Sequence, residues 1–335
     1  MALEKIVLVK LKRTDFAGPV TLEKRSALNA NDGAIYSLFE TAKHQMNRSA
    51  QKRFGFFDDV AEHKQFVGLL KSELQESVDF LSFANKAAEQ LQVQLESAET
   101  PFTSALLLAK ENLLGQDYFY LLWLQTADII QVGSDLEPYT SESIEPTKIP
   151  FALRVHLNGW QEDNSEKYLT QIVSRGSKDL TQAFNRFSNF SEGIDLKQET
   201  TEFLQIVDSF SEELPEEKAK VVKAQIVDYC VEKDKIGEPV VLEDISHQLD
   251  QHEPKKFTEF VIGKQETPKD EILTDRSSLK KYMRYSGRDN SLSISFSAER
   301  FGEDITYDPV RGALSINSLP KSLRAQLSGF ANKDD

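Results

Sequence analysis

The sequence is poor in cysteine: its 335 residues include only Cys230, so no disulfide can form within the chain. Cys230 lies among apolar residues at helical spacing, which is typical of a packed thiol in a reducing compartment. Long hydrophobic runs are also missing. The most apolar stretch, near residues 118–124, is far shorter than the roughly 20 residues that cross a bilayer, so we expect no membrane partner. The first residues mix charged and apolar side chains, which predicts no secretory signal.

The motifs of common cofactor and nucleotide sites are also absent. Gly263-Lys264 lacks the preceding glycine of a phosphate-binding loop. The five histidines include no pair at metal-binding helical spacing, since His247 and His252 are five residues apart. We therefore expect no cofactor, no metal site and no enzymatic activity.

One short stretch keeps a catalytic alternative open. Glu62-His63-Lys64, preceded by Asp59, has the acid-x-lysine form of many metal-dependent nucleases, in which carboxylates hold a metal beside a lysine. The same triplet is frequent by chance in a chain that is 28% charged. A nuclease using Asp59, Glu62 and Lys64 is therefore the last of three functional hypotheses.

Charge is unevenly distributed along the chain. The formal net charge is −14 and the pI is near 5.0, unlike most nucleic-acid-binding proteins. Residues 1–56 hold 10 basic and 5 acidic side chains, residues 57–275 hold 20 and 42, and residues 276–335 hold 10 and 7. Basic ends on an acidic body indicate either a positive binding face or salt-bridged helix surfaces.

Hydrophobic periodicity predicts an α+β fold with a mixed, mainly antiparallel sheet and packed helices. An N-terminal α+β domain is expected over 1–195, and a second domain over 196–335. The second domain comprises a helical segment followed by a C-terminal helix and a three-stranded meander. The pattern also predicts a long helix from Leu74 to about Pro101 and a surface loop over 133–150. Strands are predicted at 3–11, 20–22, 104–110, 118–125, 151–157, 168–174, 292–296, 305–307 and 314–316.

The best local candidate for binding nucleic acid follows Asp275. That residue can cap a short helix ending near Gly287, with Lys280, Lys281 and Arg284 pointing outward and Arg288 continuing the row. Phosphate contacts are typically made by such side chains, and the serines of 291–297 could add hydroxyl donors. The alternative is a solvated basic face that pairs with the acidic middle of the chain.

A second basic cluster lies nearer the start of the chain. It consists of Lys43, Arg48, Lys52 and Arg53, and the aromatic side chains of Phe54, Phe56 and Phe57 follow it. Three aromatic rings can stack on unpaired bases. A staple of these rings into the core is the favoured alternative.

Several segments together resemble the bacterial nucleoid-associated protein family of NdpA-like proteins, over nearly the whole chain. Membership would imply a cytoplasmic protein of the bacterial nucleoid that associates with DNA and has no enzymatic activity. It brings no residue-by-residue assignment of a binding surface. The segments are Lys52-Arg53-Phe54-Gly55-Phe56-Phe57, Phe80-Leu81-Ser82-Phe83, Tyr168-Leu169-Thr170 with Arg175, Phe184, Phe187, Ser191-Glu192-Gly193, Phe257-Thr258-Glu259-Phe260, Asp275-Arg276-Ser277 and Tyr307-Asp308-Pro309.

The first hypothesis is therefore a nucleoid-associated DNA-binding accessory protein that contacts the phosphate backbone with little sequence specificity. Its expected partner is double-stranded DNA, and RNA and a homodimer stay open. The second hypothesis is an acidic adaptor that binds DNA-handling enzymes through residues 57–275 and reaches the nucleoid through them.

Overall fold

The computed structural model describes residues 2–29, 33–58, 65–161, 167–174, 176–249, 255–265 and 269–331. The chain divides into two compact units, Met1–Leu196 with Lys235–Gly237 and Lys197–Asp234 with Glu238–Asp335. The predicted α+β class with a mainly antiparallel sheet is confirmed. The residues of the nuclease hypothesis, Asp59, Glu62 and Lys64, lie outside the described residues, as does Arg175.

The first unit is built on one large sheet. Its strands are β1 Ala2–Arg13, β2 Thr21–Glu23, β3 Lys52–Phe57, β4 Phe102–Leu113, β5 Gln116–Val132, β6 Pro138–Glu145, β7 Phe151–His156, β8 Leu169–Val173 and β9 Phe190–Glu192. Neighbouring strands all pair antiparallel, in the order β2-β1-β4-β5-β7-β8-β3-β9, with β6 pairing only β5 among the described strands. Every strand predicted in this part of the chain is present.

Both faces of the central strands are buried, which is why their sequences are apolar at nearly every position. Leu106 packs into one core and the adjacent Leu107 into the other. Helix α1, Gly33–Asn47, covers the face of Leu107 with Phe39, Ala42 and Met46. The opposite face is covered by helices α2 Gln65–Leu74, α3 Phe80–Leu95 and α5 Lys178–Ser188, and the short α4, Leu157–Gln161, follows β7.

The long helix predicted from Leu74 is wrong at its start. Leu74 ends α2, and α3 begins only at Phe80. Asp79 caps the new helix, because its carboxylate accepts a hydrogen bond from the Ser82 backbone N–H at 3.0 Å. Glu76 takes a left-handed conformation, with φ of 56°, that no continuous helix accommodates.

The surface loop predicted over 133–150 is also wrong in part, because it contains strand β6. Residues Pro138–Glu145 pair with the distal half of β5, from Gln125↔Glu145 to Val132↔Pro138. Most of this two-stranded arm is exposed, so burial does not impose the apolar alternation from which strands are recognised. Backbone pairing to a long, preformed strand creates the element.

The second unit surrounds a smaller core that includes Phe203, Phe210, Cys230 and Phe257. Burial raises the pKa of the Cys230 thiol to about 12, in agreement with a packed thiol. The predicted helical middle segment is present. Its elements are α6 Leu196–Glu212, α7 Glu216–Ile236, α8 Leu242–Leu249 and α9 Lys256–Lys264, with a two-stranded ladder of β10 Val240–Val241 and β11 Glu271–Ile272.

The C-terminal part begins with helix α10, Arg276–Tyr282, and ends with α11, Lys321–Ala331. All three strands predicted for the meander are present, as β13 Ser293–Ser297, β14 Ile305–Asp308 and β15 Ala313–Ile316. Their pairing is arranged as two hairpins. An additional strand, β12 Arg284–Arg288, pairs with β13, while β14 pairs with β15.

Candidate nucleic-acid interface

The first part of the candidate interface is helix α10, which Asp275 caps as predicted. The Asp275 carboxylate accepts hydrogen bonds from the Ser278 backbone N–H and hydroxyl, both at 2.8 Å. Burial opposes its charge, but these bonds and that of Ser277 outweigh it, so the pKa of Asp275 is lowered. Leu279 anchors the helix in the core, while Lys280 and Lys281 are exposed at its C-terminal end. Two ammonium groups are therefore held at the negative end of the helix dipole.

The predicted helix does not reach Gly287, and this changes the position of both arginines. It ends at Tyr282, and Arg284 begins strand β12. The helical spacing of Lys280 and Arg284 is therefore wrong. Two contacts stabilise the extended conformation of this segment relative to a further helical turn. Strand β12 pairs with β13 across five residues, and the Tyr285 ring lies 5.5 Å from the Phe296 ring.

The strand places the two arginines on the same face of the hairpin, because alternate residues of a strand point to the same side. Arg284 lies opposite Ser297, and Arg288 lies opposite Ser293. Ser295 lies between these serines on the same face, and its hydroxyl accepts a hydrogen bond from Arg284 Nε at 3.1 Å. We call Arg284, Arg288, Ser293, Ser295 and Ser297 the arginine–serine face.

The opposite side of the hairpin is aromatic. The Tyr285 ring lies 5.0 Å from that of Phe301, and Phe296 and Phe301 are stacked with an interplanar angle of 11°. These three rings support the hairpin from behind. Alternation with a period of two in Arg284-Tyr285-Ser286-Gly287-Arg288 is the sequence signal that corresponds to the two faces.

None of the five residues that define the arginine–serine face is acidic. The nearest acidic residue along the hairpin is Asp289 in the turn, whose carboxylate accepts backbone hydrogen bonds from Ser291 and Leu292 at 2.8 and 2.7 Å. These bonds lower the pKa of Asp289. Within the part of the chain that the structure describes, Lys280, Lys281 and Arg288 form no ion pair. The surface therefore offers hydrogen-bond donors and positive charge to an anion.

The second basic cluster does not form an exposed basic surface like the arginine–serine face. Lys43 shows this most clearly. Lys43 is buried in α1, and its ammonium donates to Glu111 at 2.6 Å and Glu40 at 2.7 Å. Burial opposes the charged form, but these two bonds outweigh it, so the pKa of Lys43 is raised. A buried, doubly bonded ammonium cannot reach a phosphate. In this structure Lys43 is therefore not placed to contact nucleic acid.

The other members of the cluster make contacts within the first unit. Lys52 donates to the Asn47 carbonyl at the end of α1, at 2.6 Å. Arg53 donates to the Gln171 side-chain oxygen at 2.5 Å and lies 5.2 Å from the centre of the Phe190 ring. Arg48 is exposed beside His44 at 3.4 Å. Lys52 therefore supports the junction of α1 and β3, and Arg53 contacts the neighbouring strands β8 and β9.

Two of the three aromatic residues after this cluster lie in the core. Phe54 and Phe57 are buried, and the Phe57 ring lies 5.1 Å from that of Trp160. Phe56 between them is half-buried. The rings of Phe54 and Phe57 are therefore not offered to an unpaired base. The arrangement leaves the α10–β12–β13 segment as the stronger of the two predicted surfaces.

Two other features, a metal-binding cluster and a membrane-spanning helix, are absent from the described residues. No group of three or more His, Cys, Asp or Glu side chains is placed to hold a metal ion in the described part of the chain. No helix among the described residues is both long and apolar enough to span a bilayer.

Comparison with known proteins gives one consistent result. A family model described as nucleoid-associated protein YejK matches residues 7–324. A nucleoid-associated protein of Pseudomonas putida strain W619 is 31% identical over 319 residues, covering 94% of this chain and 95% of the relative. A nucleoid-associated protein of Pseudomonas paraeruginosa strain PA7 is 29% identical over 330 residues, covering 98% and 97%.

Proposed function

Since the chain belongs to the nucleoid-associated protein family, as its sequence segments predicted, we propose that it is a DNA-binding accessory protein of the bacterial nucleoid in the cytoplasm. It contacts the phosphate backbone of double-stranded DNA with little sequence specificity. The arginine–serine face, together with Lys280 and Lys281, supports this proposal most directly. The role requires no chemical step and no cofactor.

The side chains of this face match the chemistry of a phosphate backbone. Guanidinium groups and hydroxyls donate hydrogen bonds to phosphate oxygens, and such contacts position a protein without reading sequence. Arg284 and Arg288 are four positions apart in the strand, so their Cα atoms are about 13 Å apart along it. The two guanidinium groups can therefore meet separate phosphates. A two-stranded ribbon also fits the DNA major groove, which is about 12 Å wide.

The test is the salt dependence of DNA binding, measured by fluorescence anisotropy with a generic duplex. Each neutralised phosphate contributes about −0.9 to the slope of log Kobs against log salt. The variant Arg284→Gln with Arg288→Gln should therefore flatten the slope by about 1.8. Binding should weaken equally for duplexes of unrelated sequence. A single strand and an RNA, titrated in parallel, determine which class of nucleic acid is preferred.

A matched control comes from two exposed arginines elsewhere in the second unit. Arg311 lies in the turn between β14 and β15, and Arg324 lies on α11. Changing both to glutamine removes the same charge and should leave the slope unchanged. Equal slopes for wild type and the Arg284→Gln, Arg288→Gln variant would remove this face from the proposal.

The acidic adaptor stays as a second candidate because of a run of exposed carboxylates. Glu212, Glu213, Glu216 and Glu217 are all exposed where α6 ends and α7 begins. Such a run could attract a basic surface of a DNA-handling enzyme. Partner capture with and without nuclease treatment tests this candidate. Partners that disappear after nuclease treatment would count against it.

A further inference from the structure

The distal half of β5 has one hydrogen-bonding edge that is open. Gln125 pairs with Ser104 of β4 on one edge of the strand and with Glu145 of β6 on the other. Pairing with β6 continues to Val132, whereas pairing with β4 stops at Gln125, and no other described strand pairs with that edge. The resulting arm, residues 125–145, extends about 24 Å from Gln125 to Val132. Because a two-stranded ribbon is only marginally stable in water, a third strand at the open edge would stabilise the arm.

The backbone groups of every second residue point to this open edge. Gln125 donates its N–H to the carbonyl of Lys148, which lies between β6 and β7, so the backbone groups of Gln125 face the β6 side. Neighbouring residues of an antiparallel strand direct their N–H and C=O groups to opposite edges. The residues whose backbone groups face the open edge are therefore Thr126, Asp128, Ile130 and Val132.

The two edges of the arm differ in how well they accept a further strand. On the outer edge of β6, Pro138 pairs with the outward-facing Val132, so an N–H is missing from that edge. The open edge of β5 contains no proline, and Asp128 is its single charged residue beyond Gln125. Ile130 and Val132 are 77% and 64% exposed there. Proline and charge are the usual protection of an edge strand, so the β5 edge is the one suited to strand addition.

A second copy of the same edge is complementary to the first. In an antiparallel arrangement with a two-fold axis at Ile130, that residue pairs with its own copy. Asp128 then lies opposite Val132 of the second copy, so no carboxylate directly faces another. The paired residues exchange about six backbone hydrogen bonds. An axis at Asp128 would instead place two carboxylates opposite each other.

This register brings the tip of each arm to the middle of β5 in the second copy. The tip is a turn closed by a hydrogen bond from the Gly133 N–H to the Glu137 carbonyl at 3.0 Å. Its side chains combine an apolar group with two carboxylates, since Leu136 is 82% exposed and Asp135 and Glu137 are exposed beside it. An axis at Ile129 would move the tip two positions further, onto the edge that β4 occupies.

The surface that meets the tip has the opposite charge. At residues 125–126 a cavity of about 430 Å³ opens, and none of the residues that line it is acidic. Lys12 lines this cavity, and its accessible apolar wall includes Pro101, which is exposed, and Phe102, which is half-buried. A leucine flanked by two carboxylates is complementary to an apolar recess beside an ammonium group.

The other carboxylates of the arm do not strongly oppose this pairing. Glu142 forms an ion pair with Lys10, and Glu145 forms one with Lys148 at 2.8 Å, so these charges are compensated within each copy. The carboxylates of the two tips lie at opposite ends of the paired strands, because the pairing is antiparallel. Repulsion between the arms is therefore limited.

We propose that two copies of this chain dimerise through the open edge of β5, which joins their large sheets into one. The tip of each arm lies at the cavity of the other copy. The arginine–serine face takes no part in this contact, so the dimer does not depend on the proposed DNA binding.

The first test is sedimentation-velocity ultracentrifugation of the full chain over a micromolar concentration series. Ile130→Pro removes an N–H from the open edge, and it preserves the pairing with β6 because that N–H points away from β6. Thr140→Pro is the matched control. Thr140 pairs with Ile130, so its N–H faces the outer edge of β6. We expect the dissociation constant of the dimer to rise at least tenfold in Ile130→Pro and to stay unchanged in Thr140→Pro.

A second test locates the two-fold axis without relying on proline. In a hydrogen-bonded antiparallel pair the Cα atoms are about 5.5 Å apart, which a disulfide can span, so Ile130→Cys should give a covalent dimer under a mild oxidant. Val132→Cys should not, because the two copies of that residue lie about 13 Å apart along the strands. Cys230 is buried and does not compete. Non-reducing gels report both results.

Three outcomes would overturn the proposal. The first is a wild-type chain that stays monomeric over the whole series. The second is a dimer that Ile130→Pro leaves intact, which with loss in Thr140→Pro would indicate the outer edge of β6. The third is cross-linking of Val132→Cys without cross-linking of Ile130→Cys, which would exclude the register centred on Ile130.

Discussion

Replacing Lys43 tests the conclusion that this residue stabilises the first unit through a buried ion pair and does not contact DNA. In Lys43→Ala, the carboxylate of Glu111, whose side chain is 1% exposed, loses the ammonium that neutralises it. Removing one partner of a buried ion pair costs about 3–5 kcal/mol, because the other charge stays buried and uncompensated. Glu40 is more exposed, so solvent compensates for its loss. We therefore expect the first unit to lose about 3–5 kcal/mol of unfolding free energy.

The assay is urea unfolding followed by tryptophan fluorescence. Both tryptophans of the chain, Trp123 and Trp160, lie in the first unit, so the signal reports on that unit. A second variant, Lys43→Met with Glu111→Leu, removes both charges and should recover most of the stability. A loss below about 1 kcal/mol in Lys43→Ala, typical of a surface ion pair, would refute the reasoning. A DNA-binding slope flattened by about 0.9 in the folded double variant would restore Lys43 as a phosphate contact.

Three further predictions concern single residues. Asp275→Ala should destabilise the second unit by about 1 kcal/mol at neutral pH, in chemical unfolding. The pKa of Asp275 is lower in the folded state than in the unfolded state. The carboxylate therefore stabilises the fold fully at a pH above the unfolded-state pKa near 3.9, and this stabilisation is lost as the pH falls through the lower folded-state pKa. Gly55→Ala places a Cβ 1.9 Å from the Ser191 carbonyl oxygen, so it should lower the thermal midpoint well below that of Gly68→Ala, which meets open space. Cys230 should resist iodoacetamide at neutral pH until urea unfolds the chain, since burial raises its thiol pKa to about 12.

The elements predicted correctly are those in which burial determines the local sequence. The central part of β4 and residues 119–124 of β5 are buried on both faces, so nearly every side chain there is apolar and the pattern is visible without knowledge of any partner. Strand β6 is exposed, and only its pairing with β5 creates it. Strand β12 depends in the same way on β13 and on the contact between Tyr285 and Phe296. These partners are not visible within a local window, which explains both errors.

In the candidate site, too, features set by neighbouring residues in the sequence were predictable, and features set by distant residues were not. Charge counting identified the basic side chains, and the helix cap at Asp275 was correctly predicted from the residues around it. Whether a lysine is free depends on residues far along the chain. Glu111 is 68 positions from Lys43, and no local pattern connects them. The distinction between a binding residue and a buried ion pair therefore required the fold.

The net charge of the whole chain gives the proposed DNA contact an unusual dependence on salt. A protein of net charge −14 is repelled by DNA at long range, while the arginine–serine face attracts phosphates at contact. The Debye length is about 30 Å at 0.01 M salt and about 10 Å at 0.1 M, so the repulsion is strong only at low salt. We therefore expect the plot of log Kobs against log salt to be steep and linear above about 0.1 M and to flatten towards 0.01 M. Changing Glu212, Glu213, Glu216 and Glu217 to glutamine should raise affinity at low salt and leave the high-salt slope unchanged. A straight line of one slope over the whole range, the same in both proteins, would show that the acidic residues do not affect DNA binding.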